Sequence, residues 1–155
     1  MSERNAVQRA VDEFGREVGF EKKSGSWYWH GEEVIAVLNL QKSQYGPQYY
    51  VNVAFWLRQL GEERYPKEHK CHVRLRLEDV APGAEDEIGR LLDLEKPSSD
   101  EQRIEALLRL LLERLGPVVE RAGSVDGLRS LRDEGLLAGA AIVGPAQQIL
   151  TSVAR

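Results

Sequence analysis

The 155-residue chain predicts an α+β fold: a four-stranded antiparallel meander sheet, with an N-terminal helix on one face and C-terminal helices partly covering the other. That expectation rests on a helical period near the start, on two strand alternations around residue 45 that agree under a single register, and on a capped, leucine-rich helix late in the chain. A single domain is expected, with residues 1–19 as the first helix, 26–78 as the sheet and 84–155 as the helical half. A chain of this length supports one sizeable core and seldom two.

The first helix follows from Val7, Val11, Phe14 and Val18, whose spacings of four, three and four put them on one face of a 3.6-residue period. Ser2 is the expected N-cap and Gly19 the expected stop. The aromatic run Ser26-Trp27-Tyr28-Trp29-His30 lies between Gly25 and Gly31 and reads as a strand. At least one of Trp27 and Trp29 belongs in the core. A turn at His30 to Glu32 leads into a second strand over about 33–43. Tyr45-Gly46-Pro47 breaks it, and a third strand runs over about 48–57.

A four-residue loop at 44–47 makes Ser43 pair with Gln48, and every other pairing then follows. Leu40 meets Val51 and Leu38 meets Val53 on one apolar side. On the opposite side Asn39 meets Asn52 and Gln41 meets Tyr50. The fourth strand starts at residue 71, where Cys71, Val73, Leu75 and Leu77 alternate with His72, Arg74 and Arg76. All the links are too short for helical crossovers, so the strands form antiparallel neighbours.

Residues 84–94 form a short helix. Pro97-Ser98-Ser99 then opens another, because Ser98 and Ser99 stand three before Glu101 and Gln102, the spacing of a capping box. Ile104, Leu107, Leu108, Leu111 and Leu115 share a face, and Gly116-Pro117 ends the helix. A further helix begins after Ser124 and stops at Gly135. The apolar segment 136–143 fits either a helix or a buried strand. Pro145 suits the first turn of a last helix.

Composition bounds the function. A net charge of −4 disfavours bulk affinity for nucleic acid. Cys71 is the only cysteine, so no internal disulfide can form and a reducing cytoplasm is the expected compartment. The acid-bearing N-terminus is unlike a signal peptide, and no apolar run reaches the length of a membrane span. Charge is uneven. Residues 31–78 hold seven bases against six acids, while residues 84–135 hold eight against thirteen.

No phosphate-binding glycine loop, dinucleotide fingerprint, nucleophile elbow or zinc-protease motif occurs. Alternation sends Cys71 and His72 to opposite sides of their strand, which argues against a zinc reading of His69-Lys70-Cys71-His72. Cys71 is read as a small core residue. Neither a metal, a cofactor nor a catalytic residue is expected. The candidate site is the sheet's polar side, for ligand or partner binding: Asn39 and Gln41, Tyr50 and Asn52, then His72, Arg74 and Arg76, with Lys42, Ser43 and Tyr45 near the hairpin tip. Amides, guanidinium groups and a phenol together suit phosphate, carboxylate or a partner's acidic side chains. A merely wet sheet face is the plainer alternative, yet two facing asparagines on strands call for a reason. Ile35, Val37, Ala54 and Trp56 share that side and need apolar cover, for which Leu128, Leu131, Leu136 and Ile149 are available. The charged stretches at 61–70 and 81–87 read as solvated loops.

The strings G-F-E-K-K-S-G-S-W-Y-W from residue 19, V-L-N-L-Q-K-S-Q-Y-G-P-Q-Y-Y-V-N-V from residue 37 and C-H-V-R-L-R-L-E from residue 71 resemble the bacterial domain-of-unknown-function family forty-three oh four. The likeness covers roughly residues 10–150, and N-L-Q-K-S is its specific part. Ala54 departs from the glycine that relatives tend to carry there. The resemblance implies the fold and no activity, so no catalytic residue is carried over.

The expected function is a non-catalytic cytosolic binding protein with a protein partner, of the immunity type that neutralises a bacterial toxin. The alternative is a small ligand-binding protein or enzyme acting on an anionic ligand, phosphate or carboxylate, at the polar sheet face. There Arg74 and Arg76 would clamp the anion and His72 or Tyr50 would donate a proton, with Glu78 the only nearby base. No nucleic-acid or membrane partner is expected.

Overall fold

The computed structural model describes residues 4–152. Asn5 opens helix α1 (Ala6–Val18). Its side chain accepts from the Gln8 backbone N–H while the Gln8 side chain accepts from the Asn5 N–H, a complete capping box. The expected cap, Ser2, lies outside the described residues. Gly19 ends the helix in the left-handed conformation, as its sequence position implied.

The sheet has six antiparallel strands in chain order, not four: β1 (Glu21–Lys23), β2 (Ser26–His30), β3 (Val34–Lys42), β4 (Tyr49–Leu57), β5 (Val73–Arg76) and β6 (Ala141–Ile142). The two extra strands are short. Lys23 pairs with Ser26 across a two-residue turn whose Ser24 and Gly25 both have positive φ, 53° and 83°, the left-handed pair that a tight hairpin requires. The two-residue β6 lies in the undecided 136–143 segment and returns to pair with β5. The β3–β4 register is the one the two alternations predicted, with Asn39 opposite Asn52, Leu40 opposite Val51 and Gln41 opposite Tyr50.

The fourth strand is shorter than its alternation implied. Leu77 opens helix α2 (Leu77–Val80), whose first turn is closed by Asp79 accepting from the Arg76 N–H. Cys71 precedes the strand and packs with Tyr28, Ile35, Val37, Ala54 and Trp56, on the side opposite to Val73. Buried it is, but the period that placed it beside Val73 does not extend that far back.

Helix α3 (Glu85–Leu92) falls within the expected 84–94 span, and helix α4 (Asp100–Leu110, N-capped by Ser99) stands where its capping signal put it. Gly116-Pro117 does not stop the chain's helical path. A π-helical turn, Leu111–Leu115, passes it into α5 (Gly116–Arg121), with Pro117 in the first turn, where its missing N–H is harmless. Then come α6 (Val125–Asp133), capped by Ser124, and α7 (Gly144–Thr151), with Pro145 at its start.

One continuous apolar cluster joins α1, the even-numbered face of β3 (Val34, Ala36, Leu38), its partners Val53, Phe55 and Leu57, and the buried apolar residues of α4 to α7. Leu128 and Leu131 are among its buried members, and Leu136 and Ile149 pack at its margin. The cover expected from these four over Ile35, Val37, Ala54 and Trp56 comes from the connection between β4 and β5. Tyr65 packs on that second cluster, Pro66 is buried, and the Trp56 indole N–H donates to the Gly61 carbonyl at 3.1 Å. The stretch 61–70 is therefore packed structure and not only a solvated loop. Among the described residues no helix is long and apolar enough to cross a membrane.

Candidate functional site

The second sheet face carries two kinds of floor. Toward one end are Ile35, Val37, Ala54 and Trp56, sealed by the connection. Toward the hairpin the register lines up a single cross-strand row: Lys23 opposite Ser26, Ser26 opposite Asn39, Asn39 opposite Asn52, and Asn52 opposite Arg76. Five consecutive strands each give one polar residue to this row, and side chains that alternate along a strand all meet the same face.

The middle of the row is linked. Asn52 Nδ2 donates to Asn39 Oδ1 at 3.4 Å and to Gln41 Oε1 at 3.1 Å, and Asn39 Nδ2 reaches Ser26 Oγ at 3.5 Å. Asn52 is only 9% exposed, so these bonds satisfy an amide that would otherwise be costly to bury. The two asparagines thus have a structural reason to face each other. The ladder also holds Asn39 and Gln41 in fixed orientations, with hydrogen-bonding capacity to spare.

The ends of the row are cationic. Arg76 lies over the Tyr50 ring, its Cζ 4.1 Å from the centroid, and Lys23 Nζ lies 3.8 Å from the centroid of Tyr65. Tyr65 is itself fixed by an edge contact with Tyr28, centroids 5.2 Å apart, and by its hydroxyl donating to Glu21 at 2.8 Å. An open cavity of about 500 Å³ sits over the Lys23 half of the row, floored by Ser26, Tyr28 and Asn39 and walled by Tyr65, Lys67, Glu68 and His69.

The expected site residues divide. Asn39, Gln41, Tyr50, Asn52 and Arg76 come together as one patch. Arg74 projects on the same face but is engaged by Glu68, Nε to Oε2 2.8 Å. Lys42 pairs with Tyr49 at the end of β3 and is exposed, on the other alternation. Ser43 and Tyr45 are at the hairpin tip, where Ser43 Oγ accepts from the Tyr45 N–H at 3.1 Å and the Tyr45 side chain is 90% exposed. His72 is turned to another task. Its ring packs on Trp56, centroids 4.2 Å apart, and its Nδ1 accepts from the Leu57 N–H at 2.9 Å. Burial pushes its pKa below the ordinary imidazole value.

Lys23, Ser26 and Tyr65 were not among the expected site residues. The Ser24-Gly25 dipeptide before an aromatic strand is a hairpin signal that would have put Lys23 opposite Ser26. Tyr65-Pro66 inside a charged stretch was the sign that it packs. Chemically the patch offers hydrogen-bond donors, acceptors and two fixed cations. Glu78, the base considered for an enzymatic reading, lies in α2, beyond the strand. Burial pushes the Cys71 thiol up to about 12, far from the thiolate that nucleophilic chemistry needs. Among the described residues no three His, Cys, Asp or Glu side chains stand together to hold a metal ion.

Neither curated proteins nor solved structures yield a match to the chain. A family model does, from residue 11, inside α1, to residue 121, the end of α5. The match takes in β1 to β5 and the whole polar row, and it spans well over half of the sequence, so the chain belongs to the family described as Domain of unknown function (DUF4304).

Proposed function

We propose that the chain is a non-catalytic binding protein that holds a protein partner on the polar part of its second sheet face, in the manner of an immunity-type protein bound to a bacterial toxin in the cytoplasm. The observation that supports this reading is the five-strand row with an immobilised cation at each end. A face that is merely wetted needs no such order, whereas a recognition surface gains from side chains fixed before the partner arrives. The acidic balance of residues 84–135 adds a second surface that suits the basic groove of a nuclease-like toxin.

The test is affinity capture from the native host with the wild-type chain and with Arg76→Glu. One specific protein is expected to be retained by the wild type and lost, at least tenfold, by the variant. Equal retention by both would overturn the site, and no retained protein would overturn the protein-partner reading. A second reading, a small anionic ligand, is favoured by Lys23, Lys67 and His69 around the 500 Å³ cavity. It requires a rise in melting temperature with phosphate or a small carboxylate that Lys23→Gln removes.

A further inference from the structure

We infer that the row receives an extended acidic peptide segment of the partner, lying across the strands with one carboxylate at Lys23 and a second at Arg76. The inference deepens the partner reading above and rests on it.

Four observations lead there. Lys23 and Arg76 are the two ends of one register row, so their separation is fixed by the sheet. Both cations are held over tyrosine faces, and among the described residues neither makes an ion pair, although Glu21, bonded to the Tyr65 hydroxyl, and Glu68, in the cavity wall, stand on the Lys23 side. Their neighbours Lys22 and Arg74 are each paired, with Asp12 and Glu68. A cation ordered by an aromatic face and left without an ion-pair partner is ready for one brought by a ligand. Between them, oriented by the buried Asn52, stand Asn39 and Gln41, whose amides both donate and accept and so match the N–H and C=O of a peptide backbone, where a phosphate would only accept. Finally, this cationic row sits on a chain of net charge −4, so attraction of an acidic segment is local to the row and repelled elsewhere.

The geometry also sets a spacing. Four inter-strand steps of about 4.8 Å give roughly 19 Å between the row ends, the length of about six residues of extended chain. An even offset keeps both acidic side chains on the face toward the sheet, and an odd one turns one of them away. Two acids about six positions apart should therefore bind better than two about five apart.

The experiment is fluorescence anisotropy of the full chain, at low salt, with labelled peptides of about eight residues, long enough to span the row. One carries Glu at the first and seventh positions with Ser and Thr between, one has Glu at the first and sixth, and one has Gln in place of both Glu. The expected order is tight, about fivefold weaker, and at least thirtyfold weaker. Lys23→Gln and Arg76→Gln should each cost about tenfold with the first peptide and nothing with the Gln peptide, circular dichroism confirming that both variants are folded. The inference is overturned if the Gln peptide binds equally, if the two spacings are indistinguishable, or if an oligonucleotide of equal charge competes as well as the peptide. If captured partner depends on Arg76 but none of the peptides binds, the occupant is wrong and the site stands. If partner capture ignores Arg76, the site itself fails.

Discussion

At the scale of single residues, two polar side chains support the fold, and only the first, His72, was expected at the binding face. His72 takes the place of a backbone acceptor for Leu57, where β5 has not yet begun, and a neutral ring with a free Nδ1 is what that N–H needs. Its folded pKa is lowered by burial, while the unfolded chain restores the ordinary value. The stability it contributes is thus fully present above the ordinary imidazole pKa and declines as pH falls, because the unfolded state takes up the proton first. Melting temperature should drop between about pH 7 and pH 5.5, and His72→Gln, which keeps an acceptor without the titration, should flatten that part of the profile. Arg103 is the second case. It is 2% exposed, and its guanidinium donates to the carbonyls of Arg90, Leu91, Asp93 and Lys96, at 2.7–3.1 Å. The cation caps the C-terminal end of α3, where carbonyls lack helical partners and the helix dipole favours positive charge. Arg103→Met should cost about 3 kcal/mol in denaturant unfolding, since several carbonyls lose their donor while the volume is kept.

At the scale of elements, what was legible in the sequence is what has a strong local cause. Asn39 opposite Asn52 could be read because the hairpin loop and the pleat leave one register that buries Leu38 and Val53. Ser99 and Ser124 could be read as caps from their side-chain chemistry alone. By contrast, β1 is three exposed residues and β6 is two, too short to show a period. Pro117 looks like a stop because local rules do not reveal that a π turn precedes it. The second-face cover escaped for a similar reason: Tyr65 is one aromatic among charges, and its burial depends on where the sheet lies. Contact between the β2–β3 turn and the α5–α6 turn was equally invisible. There a Cβ on Gly31 would come within 2.7 Å of the Gly123 Cα, and Glu33 spans the junction by accepting from the Val125 N–H at 3.0 Å. Gly31→Ala should therefore destabilise the protein by about 2 kcal/mol through overpacking, measurable by urea unfolding with an unchanged m-value. Gly46→Ala meets only the flexible Glu95 carboxylate, at 3.5 Å, and serves as the tolerated control.

At the scale of the whole molecule, the sheet is closed by a strand from the far end of the sequence. β6 pairs Ile142 with Val73 and Ala141 with Arg74, and it is reached only after the chain has run through α2 to α6. The family match stops at residue 121, so a fragment trimmed to that span would lose α6, α7 and this last strand together. Its core would be stripped of Leu128, Leu131 and Leu150, and the outer N–H and C=O groups of Val73 and Arg74 would face water unpaired. Such bare edges recruit strands from other molecules. Light scattering should find the trimmed fragment self-associating at concentrations where the 155-residue chain does not. The matched span, though it carries the whole polar row, is then not a unit that stands alone, and residues 122–152 act as its built-in guard against aggregation.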